Sequence, residues 1–330
     1  MATTVITAFN EFLSDTVNLK KSDTDNARTS RDWLIDQLNG FEKDVNSPIN
    51  YPEIHIGFGS FARRTKIRPL DDIDLMFGLS AEGCTHDIHD DKIVMNSLDG
   101  TRLKKFEHAD SATISSISIL NHFKAKLQEI SQYQKSEIKR NKQAVTLQLS
   151  TKAWNFDIVP CFKSTVNSLG VSYYLIPDGK GNWMKTDPRI DKERTTTINV
   201  NNNGNVLNVI RVVKYWQTTK SFSNMSSYLL ETMILNYYAN RNDCPAYVDL
   251  ALEGLFSYLS FTVLLPVYDQ KNIQGDINTL SDDERTKISS KFTSEITKIR
   301  EARNFERDNE HEKSINKWGE IFGASFPIYG

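Results

Sequence analysis

The residues best suited to chemistry are three carboxylates in strand-like settings. Asp72 and Asp74 lie in Asp72-Ile73-Asp74-Leu75-Met76-Phe77, whose alternation predicts a strand. Strand side chains repeat every two residues, so the two acids share a face. Side by side they repel each other and interrupt the apolar pattern of that face. A divalent cation answers both problems, and Mg²⁺ favours carboxylate oxygens together with substrate phosphates. Upstream, Ile54 and Ile56 read as a short strand running into Gly57-Phe58-Gly59-Ser60, and Ser60 to Arg64 can open a helix. Glycine lets the backbone approach a ligand closely, and a helix N-terminus offers N–H groups and a positive dipole end to phosphate. The third acid, Asp157, sits in Ala153-Trp154-Asn155-Phe156-Asp157-Ile158-Val159-Pro160. An unpaired charge inside an apolar strand is costly. Asp157 is either a salt-bridged or edge acid, or a third metal carboxylate beside the other two. In this context we expect the third carboxylate.

These residues need elements to hold them. Phe9, Phe12, Leu13 and Val17 share one helical face, as do Trp33, Leu34, Leu38 and Phe41, which predicts two helices ahead of the glycine turn. Ser22 to Asp25 offer N-caps for the second. Between Ser80 and Arg102 the chain is polar. Cys84, His86, Asp87, His89, Asp90 and Asp91 cluster there without a zinc-binding spacing, and a solvated loop before a short strand at Lys92–Met95 is expected. A helix is expected over Ser111–Tyr133 and a strand over Ile138–Leu149. The run from Ile176 to Trp183 reads as a glycine-rich turn, and Thr186-Asp187-Pro188 as a break. Beyond it the pattern is helical: Val206–Trp216, a helix opening at Ser226, Ala246–Leu265, Ser281–Phe305 and Glu312–Ile321. Read alone, Lys214 would be a solvated lysine and Ser227 a cap.

Composition sets the outer bounds. A chain of 330 residues, 39% apolar and 25% charged, is of the soluble globular class with room for about two domains. A net charge of −2, from 40 basic and 42 acidic residues, argues against a general nucleic-acid-binding surface. Cys84, Cys161 and Cys244 are widely spaced and form neither a metal spacing nor an even disulfide set, so a reducing cytoplasm is expected. The N-terminus is too polar for a signal peptide. Asp249 and Glu253 interrupt the most apolar stretch, which is expected to be a buried helix and not a membrane span.

A strand, a Gly-Ser turn into a helix, and Asp-x-Asp on the next strand resemble the polymerase-beta-like nucleotidyltransferase superfamily. The ordered set is more specific: Gly59-Ser60, Asp72-x-Asp74, Trp154 to Pro160, Pro177 to Trp183, Arg211-x-x-Lys214-x-Trp216, and Ser227-Tyr228-Leu229-Leu230-Glu231. Together these resemble the bacterial cGAS/DncV-like nucleotidyltransferases, or CD-NTases, over most of the chain. The resemblance implies an α+β fold, a mixed-sheet palm joined to a helical lobe with the active site in the cleft between. We expect the palm, with the N-terminal helices, over residues 1–185 and the helical domain over 186–330.

The resemblance also implies roles. Asp72, Asp74 and Asp157 would hold two Mg²⁺ ions, with Mn²⁺ as a possible substitute. Gly59, Ser60, Lys214 and Ser227 would bind the donor triphosphate, and Tyr228 would stack on its base. The expected activity is synthesis of a cyclic di- or trinucleotide second messenger from NTPs, in bacterial anti-phage (CBASS) signalling through a separate effector. The alternative is a linear-product enzyme resembling oligoadenylate synthases or tailing enzymes. No Cys/His cluster matches the DNA-binding zinc ribbon of the animal relative. At the C-terminus, Pro327 prevents a regular helix, so an extended tail is expected, with Phe326 and Ile328 as anchors. In some operons of this family ubiquitin-transfer-like enzymes act on the synthase C-terminus, which makes Gly330 a candidate conjugation point.

Overall fold

The structure is a computed structural model that describes residues 2–90, 92–220 and 224–330. The chain divides into two compact units. One, the palm unit, comprises Lys21–Ala62 and Pro69–Pro188. The other, the helical unit, comprises the residues up to Lys20, Arg63–Arg68 and Arg189–Gly330.

Helix α1 (Val5–Phe12) belongs to the helical unit, and the palm unit begins with α2 (Lys21–Asn39). There follow β1 (Ile56–Phe58), the short α3 (Gly59–Ala62), β2 (Asp72–Gly78), β3 (Thr85–Ile88), β4 (Ile93–Asn96), β5 (Glu107–His108) and β6 (Ser111–Ile114). Helix α4 (Ser116–Glu129) precedes β7 (Glu137–Asn141), β8 (Ala144–Gln148), β9 (Asn155–Lys163), β10 (Tyr174–Pro177) and β11 (Trp183–Thr186). The strands form one mixed sheet in the order β1-β2-β9-β10-β11-β4-β6-β5. The β7–β8 hairpin joins it through β8 against β9, and β3 pairs with β4.

Register explains which side chains face where. Ile73, Leu75 and Phe77 of β2, Phe156 and Ile158 of β9, and Val145 and Leu147 of β8 are all buried. Helix α4 covers this face, with the Phe123 ring 5.7 Å from that of Phe77. Seven such side chains at roughly 1.5–3 kcal/mol each far outweigh the repulsion between neighbouring acids. A one-residue slip would turn them all to the other face, so they lock the register that lines up the carboxylates. On the opposite face the strands run from polar to apolar. Beyond the acids, Met76, Val159 and Cys161 form a small cluster with Ile54, Ala144 and Tyr174.

Several elements differ from the sequence expectations. Helix α2 starts at Lys21, so Ser22 to Asp25 fall inside it and do not cap it, and Asp23 in its first turn complements the helix dipole. The polar stretch after Ser80 contains β3, an exposed strand whose side chains leave no apolar alternation to read. Asp91 lies outside the described residues. Ser111–Ile114 is a strand, and the helix begins only after Ser115, whose hydroxyl caps Ser118 N–H at 3.3 Å. The strand expected over 138–149 is a hairpin, turned at Lys142 with φ +50° and without a glycine or proline to mark it. In the glycine-rich turn, one Asp178 oxygen accepts from the N–H groups of Lys180, Gly181 and Asn182.

The helical unit adds α5 (Pro188–Asn201), α6 (Val206–Thr219), α7 (Ser227–Tyr238), α8 (Val248–Thr262), α9 (Asp282–Arg307) and α10 (His311–Phe322). Its core is aromatic. Trp216 stacks on Phe292 at 4.9 Å, with Phe256 edge-on to both. Phe9 and Phe12 of α1 pack on Trp318 and Phe322 of α10, at 5.0 Å and 5.2 Å between centroids. These contacts draw α1 into the helical unit, whereas the sequence reading grouped it with the palm. Phe326 is buried against the same rings, while Ile328 is 81% exposed, so only one of the two expected anchors holds the tail. Among the described residues, no helix is long and apolar enough to cross a membrane.

Candidate active site

The three acids stand on adjacent strands of the palm unit. β2 and β9 run parallel, with Asp74 the register partner of Asp157 and Asp72 the partner of Asn155. Alternation puts all three carboxylates on the face away from α4. Asp157 receives a further hydrogen bond from the next strand: the Thr146 hydroxyl on β8 donates to its Oδ1 at 2.5 Å. Thr146 is also its register partner.

Gly59 completes this corner. Its φ is +68°, and a Cβ there would lie 1.8 Å from Asp74 Oδ2. Any side chain would collide with the carboxylate, so only glycine lets the turn close down on the acids. Ser60 follows at the start of α3, half-buried. Three carboxylates supply the hard oxygen donors that Mg²⁺ prefers, so the residues fit the metal by donor chemistry. Among the described residues, no group of three or more His, Cys, Asp or Glu side chains is placed so that it could hold a metal ion.

In the helical unit, Lys214 is not a solvated lysine. It is 5% exposed, and its ammonium donates to Glu231 Oε1 at 2.6 Å and to the Thr65 carbonyl at 3.0 Å. The other oxygen of Glu231 accepts from Arg63 at 3.0 Å and from the Thr65 hydroxyl at 2.8 Å. Burial alone would raise the Glu231 carboxyl, but Arg63 and then Lys214, with their hydrogen bonds and that of Thr65, outweigh it and hold it below its ordinary range. The carboxylate thus gathers two cations from two separate stretches of chain.

Tyr228 lies one helical turn before Glu231 and is tied at its hydroxyl. Its oxygen is 2.8 Å from Asp191 and 3.0 Å from Asp269 and accepts from Lys271. A phenol has one hydrogen, so it donates to one carboxylate at a time. Burial, then the two carboxylates, push its ionisation well up, so it stays a phenol. The Arg63 guanidinium carbon lies 5.6 Å from the ring centroid, which joins the Tyr228 and Glu231 groups. Ser227 is exposed, and the cap of α7 is its neighbour Ser226, accepting from Leu229 N–H at 3.1 Å.

The expected site residues therefore fall in two groups. Gly59, Asp74, Asp157 and Asp72 form one corner of the palm sheet, with Ser60 beside it in the chain. Lys214 and Tyr228 belong to one network in the helical unit. Sequence reasoning passed over Glu231, Arg63, Thr146 and Lys271. Glu231 did carry a signal, being a charge on the apolar helix that holds Ser227 and Tyr228. Thr146 carried one too, as the polar member of an otherwise apolar strand face.

Comparison with known proteins bears on the chain's family. Residues 88–199 match the Second Messenger Oligonucleotide or Dinucleotide Synthetase (SMODS) domain. A probable cyclic nucleotide synthase of Bacillus cereus (strain VD146) is 44% identical over 335 residues, which cover 100% of this chain and 99% of that protein. Among solved structures, E. coli MS115-1 CdnC with ATP superposes with a TM-score of 0.70 at 18% identity, over 97% of this chain and 98% of that one. Vibrio cholerae DncV, a cyclic AMP-GMP synthase, gives 0.68 at 11% identity, over 97% and 95%. At these identities the two structures speak for the fold alone.

Proposed function

The chain belongs to the cGAS/DncV-like nucleotidyltransferase family, and on that premise we propose that it condenses nucleoside triphosphates into a cyclic di- or trinucleotide second messenger. The observation that carries the proposal is the palm corner, where Asp74 and Asp157 are register partners and Gly59 closes on Asp74. A donor α-phosphorus is attacked there by a ribose hydroxyl, a new P–O bond forms, and pyrophosphate leaves. Asp157, nearest the acceptor, would serve as general base for the hydroxyl proton or as a ligand of the metal that activates the hydroxyl. Asp72, Asp74 and Asp157 would hold two Mg²⁺ ions, with Mn²⁺ as a substitute; when bound, they supply charge for the attacking and leaving oxygens. Phosphoryl transfer asks a protein mainly to position groups and neutralise charge, and this set does both.

Gly59 and Ser60 receive the donor triphosphate in this reading. Lys214 has three N–H donors, of which Glu231 and the Thr65 carbonyl take two, so a phosphate oxygen can be added without breaking the pair. Ser227 offers an exposed hydroxyl to the same phosphates. Tyr228 stacks on the donor base, a contact that tolerates different bases.

We place the enzyme in bacterial anti-phage (CBASS) signalling in the cytoplasm, with the product acting on a separate effector. The three described cysteines are free, as a reducing compartment requires. A ubiquitin-transfer-like enzyme acting on Gly330 belongs to the same proposal. It draws support from the exposed Ile328 beyond the buried Phe326. The central experiment is incubation with all four NTPs and Mg²⁺ or Mn²⁺, with mass spectrometry of the products. A homogeneous phosphatase-resistant product supports the cyclase. A ladder of lengths makes the enzyme a linear transferase, and nucleotide binding without pyrophosphate release removes catalysis.

A further inference from the structure

Two acids interrupt the most apolar stretch of the chain, and the helical unit treats them differently. Glu253 of α8 meets Arg300 in water, with the two side chains 44% and 63% exposed. Asp249, in the first turn of the same helix, is only 2% exposed. It walls a cavity of about 320 Å³ between the start of α8, Ile6 of α1 and the last turns of α9. That volume is at the low end for small-ligand sites. All three helices belong to the helical unit.

The charged lining of this cavity does not balance. Arg303 Nη1 donates to Asp249 Oδ2 at 2.5 Å and to Glu306 Oε2 at 2.7 Å, which uses both hydrogens of that nitrogen. One guanidinium thus serves two carboxylates. Among the described residues, Asp249 Oδ1 is buried without a hydrogen-bond partner. Burial pushes the Asp249 carboxyl up in spite of Arg303 and the nearby N–H groups of Asp249 and Leu250. Glu306 is pushed up too, by burial and then by the Asp249 charge, against Arg303 and His311. Arg307 stands at the mouth and does not supply the missing charge, since it is 74% exposed and faces Asp308 at 3.7 Å. The rest of the wall is apolar and partly exposed: Ile6, Tyr247 and Leu250.

We propose that this cavity binds a small organic cation, a primary ammonium on an apolar tail. The ammonium supplies the one positive charge that Asp249, Glu306 and Arg303 lack between them. Its three N–H donors are enough to reach Asp249 Oδ1 and Glu306 together, and such charge-assisted bonds are the stronger sort. The tail lies along Ile6, Leu250 and the Tyr247 ring, and its burial adds affinity. A bare metal ion would leave those walls in water. A neutral molecule would leave the charge of the two acids unanswered, and an anion would oppose it. Bound there, the cation ties α1 to α8 and α9 and stabilises the helical unit by mass action. A free amine and a lysine side chain of another protein share this chemistry. The cavity shares no residue with the nucleotide site, so its test needs no turnover.

The test titrates the full chain with hexylammonium chloride at neutral pH and fixed ionic strength, followed by calorimetry and thermal melting. Saturable binding with a Kd of about 1 mM or below is expected, with a rise in melting temperature as the ligand is added. Hexanol, which keeps the tail and lacks the charge, should bind at least about tenfold more weakly. Butylammonium, two methylenes shorter, should bind about fivefold more weakly. Glu306→Gln and Leu250→Ser should each weaken hexylammonium about three- to tenfold. Both side chains reach solvent, so these two variants keep the fold and carry the test even if Asp249→Asn, which should abolish binding, melts early. Nα-acetyl-lysine methylamide is titrated alongside. If it binds tighter than hexylammonium, the site takes a lysine side chain; if it binds more weakly, the site takes a free amine; either supports the site. Hexylammonium that binds no tighter than hexanol, or equally to the wild type, Glu306→Gln and Leu250→Ser, overturns the inference whatever the nucleotide chemistry proves to be.

Discussion

Gly59 and Asp74 are in contact so close that a methyl group on the first would sit 1.8 Å from an oxygen of the second. Gly59→Ala should therefore displace the Asp74 carboxylate and strain a backbone held at φ +68°. We expect a stability cost of about 1 kcal/mol or somewhat more and a fall in turnover of at least about a hundredfold. Thermal melting and pyrophosphate release measured side by side check this. A variant that melts normally and works normally would separate Gly59 from the chemistry.

Asp72→Asn combined with Asp74→Asn should give a folded, inactive protein. The seven buried side chains on the other face keep the strand in register whatever the acids become. Relief of like-charge repulsion offsets part of any lost hydrogen bonding, so the melting temperature should stay within a few degrees. Asp157→Asn should likewise abolish chemistry while retaining nucleotide binding. Measurable product from any of these variants would remove the acids from the metal site.

Glu231→Gln should be costly out of proportion to its size. It leaves Lys214 and Arg63 buried without their counter-charge, a situation worth about 3–5 kcal/mol. The sign of the pH effect follows from the depressed carboxyl. Its stabilisation is fully present above the unfolded value of 4.5 and is lost as pH falls through the lower folded value. Melting curves between pH 3 and pH 7 should show a loss of stability at the acid end that Glu231→Gln lacks. A parallel pH dependence in both proteins would place the acid sensitivity elsewhere.

Tyr228→Ala should weaken donor binding by about 1–3 kcal/mol through lost stacking. Tyr228→Phe keeps the ring and should cost less than Lys214→Ala, which removes charge from both phosphate and Glu231. Equilibrium titration with a non-hydrolysable ATP analogue distinguishes them. Equal losses for Tyr228→Phe and Lys214→Ala would argue against a phosphate contact by Lys214.

What could be read from the sequence is what local periodicity encodes. Asp72, Asp74 and Asp157 stand out because each breaks an apolar rhythm of period two. Gly59 stands out because a Gly-Ser turn runs into a helix. The contact of Gly59 with Asp74 could not be read, since it depends on the antiparallel register of β1 on β2. Glu231 lay inside a recognised motif, yet its meaning rests on Arg63, 168 residues away in the chain. β3 escaped notice because both its faces are polar enough to imitate a loop. The hairpin at Lys142 escaped because a lysine at positive φ does the work usually left to glycine or asparagine.

The helical unit is assembled from three separate pieces of chain, and this has a consequence for how the protein comes into being. During synthesis Phe9 and Phe12 emerge long before Trp318 and Phe322, the rings they pack on. Arg63 and Thr65 likewise precede Glu231 by more than half the chain. The palm sheet can close once β11 has been made, but α1 must wait, apolar face uncovered, until α10 has been made. No single cut yields two self-sufficient halves. A chimaera that exchanges helical lobes must carry the first twenty residues, the six from Arg63 to Arg68 and the stretch Arg189–Gly330 together.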